Sequence, residues 1–205
     1  MAQPEVHKIP ERTEIDGALE HLVSLYEGWG LNPQTDWVLM DEFAMLLQGY
    51  NVKGLELATR HLDTFVNTAK LPWTPRDAVR SRMTIPPRES PQLQQYSQFM
   101  TTTRFGLKIH QAGEEVSEFP CDSHILPSGK AIRLWKPLPF LESFYPDTLL
   151  RFTAAEVGPT KIQEWEAKLQ LIKEAAVEAS DQALAELAEA YIQDWEERKT
   201  RQRRE

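Results

Sequence analysis

Apolar positions along this chain fall into two kinds of spacing, and each kind predicts a different element. From Ile15 onward, Ile15, Leu19, Leu22, Val23, Leu25 and Tyr26 recur every three or four residues, the period of one buried helix face. Thr13 or Asp16 can cap the start of that helix, and the stretch Gly28 to Gly30 stops it. Asn32-Pro33 is a turn, and Trp37-Val38-Leu39-Met40 is a short unbroken apolar run that fits a buried strand. Phe43, Ala44, Leu46 and Leu47 then share a helical face closed by Gly49, and Leu62, Phe65 and Val66 predict a second strand. Leu93, Tyr96, Phe99 and Met100 mark another helix. Phe105, Leu107 and Ile109 alternate with Gly106, Lys108 and His110 as a third strand would. Ile125 to Lys130 reads as a hairpin turn feeding a strand over Ala131–Trp135, and the prolines at 137 and 139 open a short helix running to Tyr145.

The last fifth of the chain differs in character. Thr160 and Gln163 have the spacing of a capping box. Beyond them Ile162, Trp165, Leu169, Ile172, Ala176, Ala179, Ala183, Leu187, Tyr191 and Trp195 step by three or four, with no Gly or Pro at Ser180-Asp181. One long helix and a hairpin bent at Ser180 both satisfy that pattern. A stripe of this length needs a partner surface, which is its own domain, a second copy or another protein. The resulting organisation is a loose N-terminus (1–13), an α/β domain (14–158) and a helical extension with a basic tail (159–205).

Composition narrows the class. With 41% hydrophobic and 26% charged residues the chain has an ordinary globular composition. No apolar run approaches the roughly 18–20 residues that span a bilayer, so no membrane role is expected. A single cysteine, Cys121, allows no intrachain disulfide and fits a reducing cytoplasm. A net charge of −8 argues against outright nucleic-acid binding. The local exceptions are the C-terminal basic cluster and Arg76, Arg80, Arg82 and Arg88. These four lie in a proline-punctuated, lid-like loop from Leu71 to Pro91, with one helical turn expected around Arg76–Arg80. The five histidines lack metal-ligand spacing, and Cys121 near His124 sits in what reads as a surface connector. Trp37, Trp135 and Trp165 stand at apolar positions and read as core.

The segments Trp37–Tyr50 and Thr59–Val66, with weaker support from Gly129–Trp135, resemble the nucleotidyltransferase-fold superfamily. The likeness is to bacterial enzymes of toxin–antitoxin and phage-defence systems. Phe43, Ala44, Gly49, Tyr50, Thr59, Arg60, Leu62 and Asp63 stand where that pattern places them. The resemblance implies an α+β fold, a small mixed β-sheet with flanking helices. It also implies transfer of a nucleotidyl group from a triphosphate, with Mg²⁺ held by strand aspartates and a glycine turn approaching the phosphates.

Carried over residue by residue, Asp63 matches the second strand aspartate and is the catalytic candidate. His61 replaces the first, leaving Asp63 and His61 as candidate metal ligands. The third-strand position falls near Lys108 or His110. Asp41 and Glu42 fill the glycine turn, so Asp41, Glu42 and Lys108 outline the candidate cofactor cleft. A carboxylate about 4 Å from a phosphate oxygen costs roughly 1 kcal/mol in water and several times more at a partly buried surface. Asp41 has a second reading, as a cap of the helix that follows it. The expectation is a degenerate, catalytically impaired nucleotidyltransferase-like protein that binds a nucleotide, an RNA or a protein. The alternatives are an active enzyme using Asp63 with Asp41, Glu42 or His61 and Mg²⁺, and an assembly protein or homodimer held through its C-terminal helix.

Overall fold

The computed structural model describes residues 9–75, 82–143 and 159–202. Helix α1 (Arg12–Gly28) starts in a capping box formed by Glu11 and Glu14. Strand β1 (Trp37–Met40) runs into α2 (Asp41–Leu47), and α3 (Leu55–Thr59) precedes β2 (His61–Asn67). Next come β3 (Met83–Thr84), α4 (Pro91–Thr103) and β4 (Gly106–Ala112). β5 (Cys121–Ile125) and β6 (Ala131–Trp135) form a hairpin, and α5 covers 137–143. The chain closes with α6 (Pro159–Glu178) and α7 (Gln182–Gln202). The class is α+β: one mixed sheet in the order β3-β4-β2-β1-β6-β5, with helices around it. β1 pairs antiparallel to β2 and parallel to β6, whereas β2 and β4 are parallel.

Register sorts the strand residues onto two faces, because alternate side chains point to opposite sides of a sheet. Trp37, Leu39, Leu62, Val66, Leu107, Ile109, Ile132 and Leu134 join α1 and α4 in the larger apolar cluster. Val38, Met40, Phe65, Ala112 and Trp135 form a smaller cluster on the opposite face with Val116 and Phe140. There Phe119 stacks on Trp135 with ring centroids 4.3 Å apart. Asp63, Lys108 and His110 lie on this second face.

The C-terminal segment is a hairpin. Ser180 takes a left-handed conformation (φ 59°), and two hydrogen bonds close the end of α6: Ser180 N–H to Val177 O and Asp181 N–H to Ala176 O. The Asp181 carboxylate then accepts from Leu184 N–H at 3.1 Å, capping α7. Trp165, Leu169, Ile172 and Ala176 of α6 belong to the same apolar cluster as the sheet, so this stripe packs on its own domain. After the turn the inward positions are Leu184, Ala188 and Trp195, while Ala179 and Ala183 face out.

The structure departs from the sequence reading in several places. α1 already starts at Arg12 with Glu11 as its N-cap, so Thr13 and Asp16 lie inside the helix and neither caps it. Cys121 opens strand β5 and pairs with Trp135 instead of lying in a connector. The Leu71–Pro91 loop contributes β3 to the sheet, while the helical turn expected at Arg76–Arg80 lies outside the described residues. α6 begins at Pro159, so Thr160 is inside the helix and not at its cap. No helix among the described residues is long and apolar enough to cross a membrane.

A buried acid–base cluster as the candidate functional site

The site is assembled by register. Met40 pairs with Asp63 across β1 and β2, and Asp63 pairs with Lys108 across β2 and β4. His61 and Asp63 are two residues apart on one strand and therefore share a face, with Lys108 and His110 alongside. At the end of β1 the chain turns through Asp41, whose φ is 67°, into α2. That turn brings in Asp41 and Glu42, α3 brings Glu56, and α6 supplies Lys168.

Each acid in this group is engaged internally. The Lys168 ammonium donates to Asp41. Lys108 Nζ donates to both carboxylate oxygens of Glu56 at 2.7 Å and lies 3.7 Å from Asp63 Oδ2. His110 Nε2 and Asp63 Oδ1 share a 2.7 Å hydrogen bond. Glu42 accepts from the backbone N–H groups of Glu56 and Leu57 at 2.8 and 3.2 Å, the first turn of α3. The approach passes over Gly54, where a Cβ would sit 2.2 Å from the Glu42 carboxyl carbon and displace that carboxylate. His61 Nδ1 lies 2.7 Å from Thr59 Oγ1 and 3.8 Å from Glu56 Oε2, at the rim with its side chain 40% exposed.

Burial and charge set the titration behaviour. Burial, then the neighbouring Asp41, pushes the Glu42 carboxyl up to about 7, against partial relief from Lys168 and the Leu57 N–H. Burial would also raise Asp63, but the His110 hydrogen bond and the charges of His110, Lys108 and Lys168 outweigh it and hold that carboxyl low. Burial alone would lower Lys168. The carboxylates of Asp41, Glu42 and Asp63 reverse that effect and keep its ammonium charged well beyond the usual range. One ammonium thus stands in the field of three carboxylates, and Asp41 Oδ1 and Asp63 Oδ2 remain buried without a hydrogen-bond partner.

No family model, curated protein or solved structure matches this chain.

The candidates named from sequence do converge: Asp41, Glu42, Asp63 and Lys108 lie in one cluster, with His61 at its edge. Asp41 does not cap α2, which has no side-chain cap, and it pairs with Lys168 instead. The donor set does not suit the Mg²⁺ that the resemblance implies. A hard octahedral cation needs several oxygens free of competing cations, and here two lysine ammonium groups stand among the carboxylates. Two partners escape the sequence reading, Glu56 and Lys168. Lys168 follows Trp165 by three residues and precedes Ile172 by four, so a lysine on the apolar face of α6 was the available signal.

Proposed function

We propose that this chain is a catalytically impaired nucleotidyltransferase-like protein that acts by binding, its acid–base cluster locking the scaffold instead of handling a triphosphate. The observation that carries this reading is Lys168. An ammonium from α6 sits among Asp41, Glu42 and Asp63, where the resemblance calls for a cation-assisted phosphate site. The left-handed turn at Asp41 supports descent from a glycine-turn scaffold, because it keeps a backbone shape natural to glycine under a residue that repels phosphate. The one cysteine fits action in a reducing compartment.

The test is label transfer. Purified protein is incubated with each labelled nucleoside triphosphate, Mg²⁺ or Mn²⁺ and candidate protein and RNA acceptors. The expected outcome is no transfer above that of the Asp63→Asn variant. Transfer that disappears in Asp63→Asn overturns the reading. Such a result would support the rival, an active enzyme, for which the buried oxygens of Asp41 and Asp63 that accept no hydrogen bond are the specific argument.

A further inference from the structure

We propose that the β3 edge of the sheet docks an extended, acidic segment of a partner protein by adding it as a further strand. β3 is the terminal strand of the sheet order. Gln111 N–H donates to Arg82 O at 2.9 Å, and Met83 pairs with His110. Bonded and non-bonded pairs alternate along an antiparallel ladder, so the main-chain N–H and C=O of Met83 point away from β4, toward an edge on which no further strand lies among the described residues. Exposed apolar anchors stand beside them. Met83 and Ile85 are 62% and 66% exposed, two of the four exposed large hydrophobics among the described residues. Edges of this kind recruit strands from partners.

Charge specifies the partner. A cavity of about 390 Å³ adjoins the strand, its walls including Trp73, Arg82, Thr84, Pro87, Arg88 and Gln111. Among the described residues its lining carries two guanidinium groups and no carboxylate, on a chain of net charge −8, so an acidic segment complements it. A nucleic acid fits less well. Trp73 is 9% exposed, sends its indole N–H toward Thr84 Oγ1 and packs edge-on against Trp29, a fixed wall and not a stacking platform. Pro86 and Pro87 end β3, which limits the docked segment to a few residues.

Fluorescence anisotropy of the full-length protein tests the proposal with three labelled probes: an octapeptide alternating glutamate and valine, its lysine–valine counterpart and an oligouridylate. The expected result is saturable binding of the glutamate–valine peptide alone. Arg88→Glu should weaken it at least tenfold at low salt, Arg88→Lys much less. Met83→Pro, which removes an outward N–H, should abolish it while circular dichroism and melting stay as in the parent chain. Binding to none of the probes, equal binding of the lysine peptide, or Arg88-dependent binding of the oligouridylate in its place overturns the proposal. Triphosphate label transfer would overturn the binding-only reading of the acid–base cluster and leave this one standing.

Discussion

Asp41 holds a backbone conformation that costs most L-residues roughly 1–2 kcal/mol, with φ at 67°, and its carboxylate meets Lys168. Those two facts pull in opposite directions when the residue is changed. Asp41→Gly relieves the backbone but leaves a buried ammonium short of one carboxylate, and breaking a buried pair costs about 3–5 kcal/mol. The variant should therefore lose stability in urea, and Asp41→Gly with Lys168→Met should recover part of that loss, giving a double-mutant coupling above about 2 kcal/mol. Additive effects would show that the pair is not coupled. Glu42 supplies the second residue-scale prediction. Its folded carboxyl titrates near 7 against an ordinary 4.5, so as pH rises the unfolded chain loses its proton first. Stability from this group is complete below the lower value, falls between the two and is gone above the higher, roughly 3 kcal/mol in all. Glu42→Gln keeps an acceptor for the Glu56 and Leu57 N–H groups and removes the ionisation. It should be more stable than the parent chain at pH 8, with the difference vanishing near pH 4.5. Parallel pH profiles for the two proteins in urea titrations would refute the assignment.

The helices and strands were unequally legible, for physical reasons. β1, β2, β4 and β6 announced themselves because buried strands carry apolar runs or clean alternation, as in Trp37–Met40 and Phe105–Ile109. β3 did not: two residues between proline clusters carry no period, and its place is fixed by pairing with β4. β5 was hidden because its side chains are mostly exposed, leaving Cys121-Asp-Ser-His looking like a connector. The acidic residues of the site were visible, but their partners came from elements far away in sequence, and the Lys168–Asp41 pair spans 127 positions. The hairpin was masked by phase. The turn at Ser180 moves the inward register from Ala179 and Ala183 to Leu184 and Ala188, while the apolar spacing of the sequence runs straight through. The turn itself is testable. Ser180 occupies the left-handed position that glycine fills most readily, so Ser180→Gly should raise stability by about 0.5–1 kcal/mol in thermal unfolding. Asp181→Ala should lower it by about 1–2 kcal/mol, because it also strips Tyr50 of an acceptor 2.7 Å away. A neutral Asp181→Ala would mean that the cap contributes nothing.

For the molecule as a whole, the open question is whether the C-terminal hairpin is an appendage for assembly or part of the fold. An appendage would present its stripe outward. Here Trp165, Leu169, Ile172, Ala175, Ala176, Leu184, Ala188 and Trp195 are all buried in the cluster that also holds α1 and the sheet. Lys168 adds a buried ion pair to the α2 turn, while Tyr50 and Asn51 reach Asp181 and Glu178 at the hairpin's bend. Emptying a single buried leucine or isoleucine site costs about 2–5 kcal/mol, and a domain of this size has only about 5–15 kcal/mol in hand. Deleting the hairpin removes three such residues, Leu169, Ile172 and Leu184, and two tryptophans at once, and strands Asp41 without its cation. A chain ended after Gly158 should therefore lose cooperative unfolding and expose apolar surface to a dye such as ANS, with light scattering reporting aggregates. If α6 and α7 serve assembly instead, the same truncation yields a folded, soluble domain with a sharp melting transition and a smaller oligomeric mass. Calorimetry and light scattering on one sample separate the two, because only the assembly reading permits a cooperative melt after the cut.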